Sequence, residues 1–242
     1  MFYYLLRPIL VYNGILIAAA VVPAFFLMLW VYRSDRLEKE SPMLLRRLVV
    51  SGVLASLAAL VAERVLSVLL NWTVPVDSKI HGLLLYFGIV AFSEEGAKYF
   101  FLRRSTWQHP SFDCQYDGVV YAVFVSLGFA LWENISYVLT YGFSTALVRA
   151  VTAIPGHACF GVFMGVFYGI ARKYENGLQP TAARTFRVLA LLVPALLHGA
   201  YDYIATLESL QEGWFFALFV VILFAVSFLL VGHTARRDRY IR

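Results

Sequence analysis

The sequence predicts an all-α protein: a polytopic bundle of about seven membrane-crossing helices, with the N-terminus outside and the C-terminus in the cytoplasm. Three observations carry this expectation. Hydrophobic residues make up 61% of the 242, and the mean hydropathy of +0.72 leaves too little charged surface for a soluble domain. Several apolar runs exceed about 18 residues, the length that crosses hydrocarbon as a helix, and they are continuous where a barrel strand would alternate. Finally, basic residues concentrate in every second connection, as the positive-inside rule requires of cytoplasmic loops.

The expected spans are 8–32, 44–70, 80–102, 117–140, 147–171, 185–206 and 213–233. Arg33, Arg36, Lys39, Arg46 and Arg47 lie between the first two, and Arg103 and Arg104 follow the third. Arg172, Lys173, Arg184 and Arg187 surround the fifth connection, and Arg236, Arg237, Arg239 and Arg242 end the chain. The other connections hold little basic charge: Lys79 before the third span, and the acids Glu208 and Glu212 before the seventh. One missed helix would destroy this alternation. The first run is too long for a signal-peptide core and stays as a helix. No linker or repeat divides the chain, so residues 1–242 form one integral-membrane domain. The net charge of +5 is accounted for by these loops, and no nucleic-acid partner is expected. Cys114 and Cys159 fall in a loop and a helix and are expected to stay unbridged.

Within the third span stands Ser93-Glu94-Glu95-Gly96-Ala97-Lys98. A charge at the centre of a bilayer costs about 2.5–3.5 kcal/mol on insertion scales, so two adjacent acids need a polar cavity or a partner. Lys98, four residues from Glu94 and three from Glu95, offsets part of the charge. The rest must be received by other helices. Glu133, followed by Asn134, is deep in the fourth span with no basic neighbour on its own face. In the fifth, Pro155 removes a helical donor and frees the carbonyl of Val151, predicting an opened turn. His157 continues as a stripe through Gly161, Gly165 and Gly169, a spacing that lets another backbone approach. In the sixth, His198 and Asp202 share a face, so the carboxylate can orient the imidazole. At 1.5 Å per residue Glu94, His198, His157 and Glu133 lie roughly 12, 16, 21 and 18–24 Å above the cytoplasmic end, compatible with one layer. Two further charged sites are expected to be bland. Glu63 and Arg64 read as a snorkelling or local pair near an interface, and Arg149 as an interfacial anchor.

At these residues the sequence resembles the PrsW family of intramembrane proteases, within the wider superfamily of CAAX prenyl endopeptidases and Abi proteins. The likeness spans about residues 90–205. It rests on Glu94-Glu95-x-x-Lys98, on Asp117-Gly118-Val119-Val120-Tyr121 leading to Phe129-x-x-x-Glu133-Asn134, on Arg149 through Pro155-Gly156-His157-Ala158, and on His198-x-x-x-Asp202. The resemblance implies a glutamate-dependent endopeptidase in a bacterial cell membrane, cutting single-span, anti-sigma-factor-like proteins. It implies Glu94, Glu95, His157 and His198 as catalytic residues, with Lys98, Glu133, Asn134 and Asp202 in support. Glu133 stands where the prenyl endopeptidases carry a histidine.

No metal or other cofactor is expected. The alternative within the enzyme class is zinc, held by Glu94, Glu95, His157 and His198, although the helical H-E-x-x-H signature is absent. Outside that class stand a non-catalytic scaffold, since the superfamily fold resembles the scaffold subunit of gamma-secretase, and a transporter or proton channel built on the same intramembrane acids.

Overall fold

The structure is a computed structural model that describes residues 2–207 and 210–241; Glu208 and Arg242 of the charge pattern lie outside the described residues. The helices are α1 (Phe2–Ser34), α2 (Pro42–Thr73), α3 (Lys79–Leu83), α4 (Phe92–Thr106), α5 (Asp117–Tyr141), α6 (Phe143–Val151), α7 (Ala153–Asn176), α8 (Pro180–Ala205) and α9 (Leu210–Arg236). A π-helical stretch, Leu84–Ala91, joins α3 to α4 without a break. The described residues form no strand, only an isolated bridge between Cys114 and Tyr240. Six helical segments are long and apolar enough to cross a membrane. The seventh column, 79–106, is cut into shorter pieces by its π turns, so the seven-span reading holds with this interruption.

Local chemistry sets the ends. Ser41 caps α2, its hydroxyl accepting from the Leu44 amide at 3.2 Å, with Pro42 in the first turn where its missing N–H costs nothing. Asp117 opens α5 by accepting from the Cys114 amide at 2.7 Å. Gly142 ends α5 at φ 85°, a conformation that only glycine enters freely, and turns the chain into α6. The fifth expected span is therefore two helices. Pro155 cannot donate to Val151, and the break falls at Thr152 (φ −119°, ψ −70°), whose side chain turns back to the Val148 carbonyl at 2.8 Å.

The core lies around the first half of α5, where every residue from Asp117 to Ala130 is buried. α7 crosses it on the glycine stripe. A Cβ on Gly165 would strike the Gly118 carbonyl oxygen at 2.5 Å and the Val119 Cα, and one on Gly169 would strike the Gln115 carbonyl. Gly52 of α2 and Gly128 of α5 make a second crossing of the same kind. These contacts hold α2, α5 and α7 closely enough for side chains from each to meet.

The basic connections gather at one end. The Tyr116 amide donates to Asp238 at 2.8 Å, the Tyr116 hydroxyl to the Val31 carbonyl at 3.2 Å, and Asn176 to the Ile241 carbonyl. The alternation in the sequence thus describes a real up-and-down topology. Both cysteines are free and buried.

Candidate active site

Glu94 and Glu95 open α4 directly after the π turns, so both carboxylates are delivered to the bundle interior: Glu94 is 6% exposed and Glu95 fully buried. Lys98, also fully buried, places Nζ 2.6 Å from Glu95 Oε1, 3.3 Å from Glu94 Oε2 and 3.1 Å from His157 Nδ1, with the Phe129 ring centroid 4.0 Å away. An ammonium group can only donate, so Nδ1 of His157 accepts and the ring carries its proton on Nε2. That proton points to Glu133 Oε2 at 2.9 Å.

Glu133 is held in turn by Arg149, whose Nη2 lies 3.0 Å away, while Arg149 Nε donates to Asn134 Oδ1 at 2.9 Å. Asn134 is anchored to the Ala20 carbonyl at 3.2 Å. On the other side, His198 Nδ1 meets Glu95 Oε1 at 2.8 Å. Its Nε2 faces Asp202 at 3.4 Å and Glu94 at 3.8 Å. Phe160 stacks on this ring at 4.7 Å between centroids, and the two imidazoles lie 5.5 Å apart. Phe87 packs against Gly199, where a Cβ would meet its ring at 2.5 Å. The residue after His198 must therefore be small.

Every residue singled out in the sequence, Glu94, Glu95, Lys98, Glu133, Asn134, His157, His198 and Asp202, enters this one network. Glu95 holds His198 more closely than Asp202 does, so orientation of that imidazole comes mainly from another helix. Two expectations fail. Arg149 is not an interfacial anchor: the break at Thr152 swings α6 over the site, and its guanidinium pairs with Glu133 and stacks on Tyr137 at 4.0 Å. Glu63 forms no ion pair with Arg64 among the described residues, although both line a cavity between α2 and α5. Adjacent helical residues point about 100° apart, and Glu63 turns inward to line a cavity with Glu94, Glu133, His157 and His198. The spacing alone was a signal against local pairing.

That cavity is about 360 Å³ and adjoins a second of about 530 Å³ between α2 and α5. Glu63, Glu94, Glu133 and Tyr137 line both, whereas Glu95 lines neither. Glu94 is the member of the acidic pair that a visiting molecule can reach.

With this geometry in place, comparison with known proteins is decisive. The family described as "PrsW family intramembrane metalloprotease" matches residues 40–231. The chain belongs to the PrsW protease family. Its similarity to PrsW relatives is broad: 35% identity over 189 residues with Protease PrsW of Oceanobacillus iheyensis, covering 78% of this chain and 82% of that one. Protease PrsW of Bacillus subtilis is 34% identical over 196 residues, covering 80% and 84%. That of Clostridioides difficile is 28% identical over 212 residues, covering 86% of each. No solved structure matches. The PrsW match reaches well beyond the 90–205 core, taking in α2, which supplies Glu63, and most of α9.

The family description raises the question of a metal. Glu94, Glu95 and His157 offer ligand atoms within 4.8 Å of one another, and carboxylate plus imidazole is a legitimate zinc donor set. The central position is taken, however: Lys98 Nζ sits among one atom of each, at 3.3, 2.6 and 3.1 Å. A metal about 2 Å from those atoms and this ammonium cannot share the space. As arranged here, the trio does not fit a metal.

Proposed function

We propose that this PrsW-family peptidase is a glutamate-dependent intramembrane endopeptidase, acting on single-span, anti-sigma-factor-like proteins in a bacterial cell membrane with its basic end in the cytoplasm. The observation that carries the reading is the division of labour in the acidic pair. Glu94 faces the cavities, and Glu95 is buried behind it, tied to Lys98 and His198.

Glu94 takes a proton from a water in the cavity, and the hydroxide adds to the scissile carbonyl carbon. The oxyanion is received by Nε2–H of His198, which acts as an imidazolium because its Nδ1–H is held by Glu95, and which lines the same cavity as Glu94. The C–N bond then breaks, and the proton held by Glu94 passes to the leaving nitrogen. His157, held between Lys98 and Glu133, assists at the water or the leaving group. Lys98 offsets the charge of the carboxylates throughout.

The test is reconstitution of purified protein in liposomes with candidate single-span substrates. Glu94→Gln should cut at least about 100-fold more slowly, the usual contribution of a general base, and His157→Ala should also lose cleavage. A Glu94→Gln protein that inserts normally and cleaves at the wild-type rate excludes the base assignment. The second reading, zinc catalysis, is favoured by the family description and by the donor trio, and requires Lys98 to leave. Stoichiometric zinc in the purified protein, with activity lost to a chelator and restored by zinc, would establish it. Full activity after metal stripping supports the glutamate reading.

A further inference from the structure

A cleft between α4 and α8, lined by none of the acidic-site residues, combines two chemistries. At the basic end it is walled by Arg103 of α4 and by Arg184 and Arg187 of α8. Toward the middle of the bundle the wall becomes Phe92, Val188 and Leu191. Phe92 lies 11 residues before Arg103, so the cleft runs roughly 16 Å along the helices. Its volume is about 400 Å³.

Two of the three arginines are not neutralised from within. Arg187 is pinned by Glu175 at 3.4 Å and lies over the Trp107 ring at 5.5 Å. Arg103 and Arg184 are exposed, and neither pairs with a carboxylate of the described residues. A cluster of guanidinium groups at the head of an apolar, bundle-side groove matches one kind of occupant: a phosphate carried on an acyl chain. We infer that this cleft is a binding site for an anionic phospholipid, its headgroup phosphate received by Arg103, Arg184 and Arg187 and one chain laid along Phe92, Val188 and Leu191. Phe92 is two residues before Glu94, so the lipid packs against the outer face of the helix whose inner face holds the acidic pair. The inference is independent of the peptidase reading.

Native mass spectrometry of the full-length protein in detergent, titrated with phosphatidylglycerol or phosphatidylcholine of matched chains, tests it. One phosphatidylglycerol should bind in preference to phosphatidylcholine. Arg103→Gln and Arg184→Gln should each weaken it about 5-fold, the factor that corresponds to about 1 kcal/mol per basic side chain at an anionic lipid surface. Arg47→Gln, an equal loss of charge at the same end, should leave it unchanged. In the wild-type protein, which needs no substitution to fold, phosphatidylglycerol with a photoreactive acyl chain should label the peptide containing residues 188–192. Equal binding of the two lipids, an equal loss in Arg47→Gln, or labelling that avoids this segment would overturn the site. Displacement by millimolar glycerol phosphate would also overturn it, by showing that the phosphate binds without its chain.

Discussion

At the scale of single residues, the site is a chain of donors and acceptors in which each group fixes the next. Arg149 and His157 both converge on Glu133 Oε2, and removing that oxygen leaves the His157 Nε2–H without its partner and the Arg149 guanidinium held only by Asn134 and Tyr137. Glu133→Ala should therefore lower the cleavage rate in proteoliposomes by more than about 10-fold, through misplacement of His157. Glu133→Gln keeps an oxygen that can accept from both, and should recover much of the rate. Equal loss in the two variants would show that the negative charge itself is needed. Glu133 was legible in the sequence as a buried acid requiring a partner, but its partners were not. Arg149 lies 16 residues away at the mouth of an expected span, and only the tertiary docking of α6 brings it in. Glu63 was obscured differently: an opposite charge beside it in the sequence suggested a local pair, whereas it also lines the cavity of Glu94 and Glu133.

At the scale of helices, the glycine contacts decide where the histidine stands. Gly165 meets backbone atoms of Gly118 and Val119, which cannot rotate aside. Gly165→Ala should force α5 and α7 apart, costing about 1–3 kcal/mol of stability, the usual range for overpacking, and lowering the thermal midpoint in detergent. Gly96→Ala gives the contrast. Nothing lies within 4 Å of its added carbon, and replacing a helical glycine should instead be neutral or stabilise by up to about 1 kcal/mol. Similar destabilisation by both would mean that the α5–α7 approach is not set by this residue. The four-residue stripe made this packing readable from the sequence, since period and residue size together specify a close crossing. The π turns before Glu94 carried no such sign: Leu84–Ala91 is a plain apolar run. Pro155 announced a break, but not that it would create a separate helix with Arg149 on it.

At the scale of the whole molecule, the basic connections and the C-terminal segment form a polar plate at one end of the bundle. Glu40 sits in this plate, 4% exposed, in contact with the Tyr121 hydroxyl. Burial lifts its carboxyl to about 7, opposed by the Tyr121 hydrogen bond and reinforced by Glu38, Asp35 and Asp113. The folded value lies above the ordinary 4.5, so the folded protein holds more protons than the unfolded chain between those limits. Stability falls as pH rises through that window and levels off above it. Glu40→Gln should flatten part of this slope, giving a higher midpoint than wild type at pH 8 and little difference near pH 4.5, measured by thermal unfolding in detergent. A slope unchanged by the substitution would assign it to other acids. The bundle, its up-and-down order and the gathering of loops were all readable from hydropathy and charge. The contacts that lock the plate, such as Tyr116 to Asp238 across 122 positions, were not, because nothing local marks them.

Lys98 has three hydrogens, and Glu94, Glu95 and His157 take one each. A carbonyl arriving in the cavity finds no spare one there, so this lysine cannot greet a guest without abandoning a resident.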